Sequence, residues 1–107
     1  MKYTVNRTYL QDVLSLLLKT PSPSGFCHNI MGKIEKVVND LGYSLERTNK
    51  GCGIITIPGK NEDYTIGFSA HVDTLGAMVR SVKSSGTIRF TPIGGYMMST
   101  VEGEYCK

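Results

Sequence analysis

Apolar residues recur at three- and four-residue steps through the first forty positions, then give way to short β-branched and aromatic runs. Leu10, Val13, Leu14, Leu17 and Leu18 fall on one helical face, which predicts a helix over Asn6–Lys19 with the Asn6 side chain as its cap. Thr20-Pro21-Ser22-Pro23-Ser24-Gly25 must be a loop, because two prolines deny helical hydrogen bonds and hold their predecessors extended. A second helix is predicted from about Phe26 to Leu41. Its buried stripe would be Ile30, Ile34, Val37, Val38 and Leu41, with Gly42 placed to end it.

Beyond Gly42 the period shortens. Tyr43 to Thr48 predicts a strand, Asn49-Lys50-Gly51 a tight turn, and Ile54 to Ile57 a second strand closed by Pro58-Gly59-Lys60-Asn61. Tyr64 to Ala70 predicts a third. Its small residues Gly67, Ser69 and Ala70 suggest close packing against helices on one face. Gly76 to Val82, the Lys83-Ser84-Ser85-Gly86 turn and Thr87 to Thr91 predict a hairpin, broken by Pro92-Ile93-Gly94-Gly95. Tyr96 to Lys107 alternates only weakly. Two helices and about five strands make an awkward total for a self-contained domain, since a lone hairpin is marginal in water. The expectation is a truncated piece or a short product.

Composition narrows the class. The chain has 107 residues, of which 40% are hydrophobic and 20% charged, the ordinary range for a folded soluble protein. The net charge of +3 comes from Lys and Arg dispersed among acids, which reads as solvated surface and excludes a nucleic-acid partner. The longest apolar run, Val13 to Leu18, falls far short of the roughly 20 residues of a membrane span, and no signal peptide is visible. Cys27, Cys52 and Cys106 are odd in number and widely spaced, which argues against a disulfide framework and for a reducing, cytoplasmic setting.

One stretch carries chemistry. In Ser69-Ala70-His71-Val72-Asp73, at the end of a predicted strand, His71 and Asp73 are two apart and would share one side of an extended backbone. A neutral imidazole suits a borderline divalent cation, and a neighbouring carboxylate can fix its tautomer or bind the metal. An ordinary strand-end pair is the bland alternative. His28, in the first turn of a helix, reads as surface; Glu102 and Glu104 as solvated acids; Met97 and Met98 as packing. Ser24 lacks a G-x-S-x-G elbow, and Gly94-Gly95 lacks the context of a phosphate loop.

Three stretches together resemble the glutamyl, or tetrahedral, aminopeptidase family, the deblocking aminopeptidases also described as cellulase-like or endoglucanase-like metallopeptidases. Leu16-Leu17-Leu18-Lys19-Thr20-Pro21-Ser22-Pro23-Ser24-Gly25-Phe26 is similar to the family's opening helix and Pro-Ser-Gly turn. Ser69-Ala70-His71-Val72-Asp73-Thr74-Leu75-Gly76-Ala77-Met78-Val79 is similar to its first metal-ligand segment. Ile88-Arg89-Phe90-Thr91-Pro92-Ile93-Gly94-Gly95 follows at the family's spacing. The resemblance implies a peptide-cleaving exopeptidase with two divalent metal ions, zinc or cobalt, acting on peptide amino termini. His71 would be a metal ligand, and Asp73 the catalytic-centre acid that orients it. The remaining ligands and the catalytic glutamate have no counterpart here, so the piece alone would be inactive and hold no metal firmly.

The implied fold is α/β: two helices followed by strands of a zinc-aminopeptidase-like mixed sheet, then the start of an inserted β-barrel domain. Residues 1–75 would belong to the catalytic domain and 76–107 to the barrel. A homo-oligomer, no membrane partner and a cytoplasmic location complete the expectation. Thr74 stands where the family commonly has an acid, which touches substrate preference rather than the ligand. A related metallo-dipeptidase or carboxypeptidase ranks second, because that group shares H-x-D but usually runs on to Val-Pro rather than Thr74-Leu75-Gly76. A non-enzymatic assembly module is the third reading.

Overall fold

The first helix begins where an asparagine side chain can replace a missing backbone partner. Asn6 Oδ1 accepts from the Tyr9 amide at 3.1 Å and starts α1 (Arg7–Leu18). Helix α2 (His28–Asp40) ends at Leu41 and then Gly42, whose φ of +82° is the left-handed turn that glycine adopts without strain. The computed structural model describes residues 3–61 and 63–107. Strands β1 (Leu45–Arg47) and β2 (Gly53–Ile55) pair antiparallel, with Glu46 opposite Ile54. Strands β3 (Gly76–Val82) and β4 (Ile88–Ile93) form a second antiparallel pair, with Met78 opposite Thr91. One turn of 3-10 helix, Met98–Val101, follows.

The chain is therefore a small α/β arrangement of two helices and two small antiparallel sheets. Among the described residues the sheets do not join, so the expected single mixed sheet does not form from them. The Tyr64–Ala70 strand is likewise absent. No described strand lies beside that segment, and a backbone without a ladder partner is not a strand. Strand β4 runs on through Pro92 and Ile93, where the sequence predicts a break. Pro92 sits opposite Ala77 in a two-stranded sheet, where each strand has a free edge and a missing N–H can face outward. The pairing skips Arg80, a bulge that adds twist to the hairpin.

Burial concentrates on α2. Ile30, Met31 and Val38 are the buried apolar residues among those described. Met31 reaches the β1–β2 hairpin: a Cβ on Gly53 would lie 2.8 Å from Met31 Cε and 3.0 Å from Leu45 Cδ1, so glycine permits the close approach. Ile34 and Val37 of the expected stripe are half-buried, and Leu41 is exposed. On α1 the expected stripe is only partly covered: Leu10, Leu14 and Leu18 are exposed, while Val13 and Leu17 are half-buried. Met97 and Met98 are exposed too, contrary to the packing role read from sequence.

The molecule is extended. Its accessible surface is 9815 Å², against about 5,900 Å² for a compact monomer of this mass. Its radius of gyration is 18.5 Å, against about 13 Å for a globular chain of this length. Tyr64, Ile66 and Phe68 and most apolar residues of the β3–β4 hairpin face solvent. No helix among the described residues is long and apolar enough to cross a membrane.

Candidate metal-ligand site

Two segments about fifty residues apart in sequence meet next to His71, at Val72–Thr74. The Pro-Ser-Pro-Ser turn after α1 runs parallel to the Val72–Thr74 segment and forms a single β-bridge to it, Pro23 with Thr74. Ser22, fully buried, accepts the Thr74 amide at its carbonyl (2.9 Å) and donates its hydroxyl to the Val72 carbonyl (2.7 Å). The turn is itself anchored at both ends. The buried Thr20 hydroxyl donates to the Leu16 carbonyl at 2.6 Å and accepts from Lys33 Nζ at 3.0 Å. Phe26 closes the other end through its amide, 2.8 Å from the Pro23 carbonyl. Gly76 lies against this turn: a Cβ there would meet Pro23 Cβ at 2.5 Å. The Tyr96 hydroxyl ties down the same residue by donating to the Gly76 carbonyl at 2.9 Å.

On this support stand His71 and Asp73. His71 Nδ1 lies 3.0 Å from Asp73 Oδ1 and 3.1 Å from the Asp73 carbonyl oxygen. Both partners can only accept, so Nδ1 carries the proton and, in the neutral ring, Nε2 keeps the lone pair. The imidazole is 86% exposed and the Asp73 side chain 42% exposed, so Nε2 faces open space rather than a packed core. The other carboxylate oxygen, Asp73 Oδ2, accepts from the Ser24 hydroxyl at 2.5 Å. That bond first, and His71 second, hold the Asp73 carboxyl below its ordinary value.

The structure thus brings His71 and Asp73 together as the H-x-D spacing predicts, although 64–70 forms no ladder. The clamp between the 20–25 turn and the 72–74 segment holds the backbone around Asp73. Reading the residues alone missed Ser22 and Ser24. Their signal was present as the proline-flanked serines of the turn, but nothing local says where a loop will land. The other candidates stay apart. His28 is exposed and stacks its ring edge-on against Phe26 at 4.4 Å, and Glu102 and Glu104 are solvent-facing beyond the 3-10 turn. Among the described residues no three His, Cys, Asp or Glu side chains converge in a group fit to hold a metal ion.

The sequence profile of the M42 glutamyl aminopeptidases matches residues 51–107, a span that contains His71, Asp73 and the whole β3–β4 hairpin. The chain belongs to the M42 glutamyl aminopeptidase family. YhfE of Bacillus subtilis (strain 168), a protein assigned as an aminopeptidase, is 35% identical over 96 residues, covering 90% of this chain and 28% of its own length. The glutamyl aminopeptidase of Lactococcus lactis subsp. cremoris (strain MG1363) is 32% identical over 96 residues, covering 89% of this chain and 27% of its own. This M42 chain therefore spans little more than a quarter of the length of these relatives.

Proposed function

We propose that this chain is the amino-terminal part of a two-metal aminopeptidase that releases amino-terminal residues from peptides. His71 is a ligand to one divalent cation, zinc or cobalt, and Asp73 orients it. The observation that carries the reading is the state of His71: Nδ1–H is held by Asp73 while Nε2 makes no hydrogen bond among the described residues and the ring is exposed, inside the stretch that matches the family. A histidine fixed in that way is a preformed ligand for a borderline cation. The donor set fits one position of a metal centre and not a closed one, since no third ligand converges among the described residues. The other ligands belong to the remaining length of such an enzyme.

Divalent cations in such a centre act as Lewis acids toward the scissile carbonyl and toward water. This chain's residues do the holding. Asp73 keeps the proton on His71 Nδ1, directs the ring, and raises the electron density of Nε2. The turn at Pro21–Gly25 fixes Asp73 in turn.

The exposed surfaces support the same reading. Tyr64–Ala70 becomes a strand when the rest of a zinc-aminopeptidase-like sheet supplies neighbours on both sides. The solvent-facing apolar residues of α1 are covered by that domain. Residues 1–75 then belong to the catalytic domain, and 76–107, with β3 and β4, open an inserted β-barrel. The complete enzyme works on peptides in the cytoplasm as a homo-oligomer, without nucleic-acid or membrane partners. The isolated chain binds zinc weakly and turns over no substrate. The test is His71→Ala in the complete enzyme, followed by metal content and hydrolysis of an amino-acyl chromogenic substrate. Loss of one metal equivalent with nearly all turnover is expected; full loading and wild-type turnover defeat the assignment.

A further inference from the structure

Ser24 is exposed, yet its hydroxyl is committed to one distant carboxylate and not placed as a nucleophile. Its hydroxyl reaches across from the 20–25 turn to Asp73 Oδ2 at 2.5 Å, bridging 49 positions of sequence, while Asp73 Oδ1 faces His71 Nδ1. Serine, aspartate and histidine are the residue types of a hydrolase triad, but here they touch in the wrong order. The hydroxyl donates to the carboxylate and not to the imidazole, so His71 cannot take the Ser24 proton as a general base would. What the order does allow is orientation. A carboxylate held at one oxygen only can rotate; held at both, it presents a fixed Oδ1 to the ring. The turn that carries Ser24 is itself fastened to the same segment by two Ser22 hydrogen bonds and the Pro23–Thr74 bridge.

We propose that Ser24 is a positioning residue of the metal centre. It pins Asp73 so that His71 stays in the Nδ1–H tautomer and keeps its Nε2 lone pair directed at the cation. The inference rests on the metal-ligand reading of His71 and extends it by one link, from the ligand through its acid to the loop after α1. It gives the Pro-Ser-Pro-Ser turn a task beyond connecting two helices. Ser22 fixes the backbone of the site segment and Ser24 fixes its side chain.

The test compares wild type, Ser24→Ala, Ser24→Thr and His71→Ala in the complete enzyme. Two quantities are read: Zn²⁺ affinity by competition with a chromogenic chelator, and the His71 tautomer in the metal-free protein from ring nitrogen shifts. Loss of an acid that directly orients a ligand costs roughly 10- to 100-fold in affinity, so loss of the group behind that acid should cost roughly 3- to 10-fold. Ser24→Ala is expected to weaken zinc by that factor and to turn a single Nδ1–H form into a tautomer mixture. Ser24→Thr, which keeps the hydroxyl, restores both. Unchanged affinity and tautomer in Ser24→Ala overturn the proposal, as does a loss that Ser24→Thr fails to restore. The His71→Ala arm separates the two levels. If it retains its full zinc, the metal-ligand reading itself fails; if it loses zinc while Ser24→Ala is silent, only the role of Ser24 fails.

Discussion

The seam between α2 and the β1–β2 hairpin and the clamp between the 20–25 turn and the 72–76 segment are two places, among the described residues, where distant parts of this chain meet. They are built from opposite materials. The seam lies on the helix that buries Ile30, Met31 and Val38, and Met31 closes it against a close-approaching glycine, Gly53, in β2. The clamp buries no large apolar side chain. It consists of backbone and hydroxyl hydrogen bonds, the fully buried Ser22, and the van der Waals stop of Gly76 on Pro23. Hydrophobic burial is non-directional and tolerates small shifts, whereas hydrogen bonds fix distances and angles. A seam of the first kind holds elements together. A clamp of the second kind holds a side chain in register, which is what the ligand role proposed for His71 requires.

The contrast breaks first at Ile30. Ile30→Ala in the complete enzyme should cost about 2–5 kcal/mol, because a fully buried branched side chain leaves a cavity that relaxes only in part. Denaturant unfolding measures it, and zinc affinity in the folded fraction should not move. Loss of zinc in proportion to stability would show that seam and clamp are one unit.

Gly76→Ala follows. The new methyl would need the space of Pro23 Cβ, and displacing it costs about 1–3 kcal/mol by the usual scale of overpacking. Unlike Ile30→Ala, it should also weaken zinc, since Pro23 neighbours both clamp serines. A stable variant with unchanged zinc affinity would show that the turn yields without disturbing His71.

Ser22→Ala should cost about 1–3 kcal/mol, because the Val72 carbonyl loses its hydroxyl donor in a buried setting. Hydrogen exchange of the Thr74 amide, bonded to the Ser22 carbonyl, should speed up in the same variant. Unaltered exchange there would mean that the backbone bonds hold the clamp without the hydroxyl.

The smallest effect is on Asp73. Its carboxyl is held below the ordinary value of 3.8, chiefly by the Ser24 hydroxyl and then by His71. A depressed folded pKa means that the stabilisation is complete above 3.8 and fades as pH falls through the lower, folded value. The clamp should therefore be indifferent to pH near neutrality. In the metal-free protein the Asp73 carboxyl carbon should titrate below 3.8, and Ser24→Ala should move its midpoint upward. A midpoint unmoved by Ser24→Ala would put the cause elsewhere.

Some of this arrangement was legible in the residues alone. Helix α1 was marked by its Asn6 cap and α2 by its apolar period and Gly42 stop, because helical hydrogen bonds close within four residues and capping is local. Both antiparallel hairpins were legible for the same reason: a turn of a few residues brings its own strands together. The H-x-D pairing of His71 with Asp73 also came from the sequence, as did family membership from three separated stretches. Two things required tertiary structure. One is which apolar faces are covered, since Leu10, Leu14 and Phe68 are as apolar as Ile30 and yet are exposed where Ile30 is fully buried. The other is the meeting of Ser22 and Ser24 with residues some fifty positions onward. Periodicity carries information over one or two turns of chain. Where a loop lands depends on how every element between its ends is packed, and that is decided only in three dimensions.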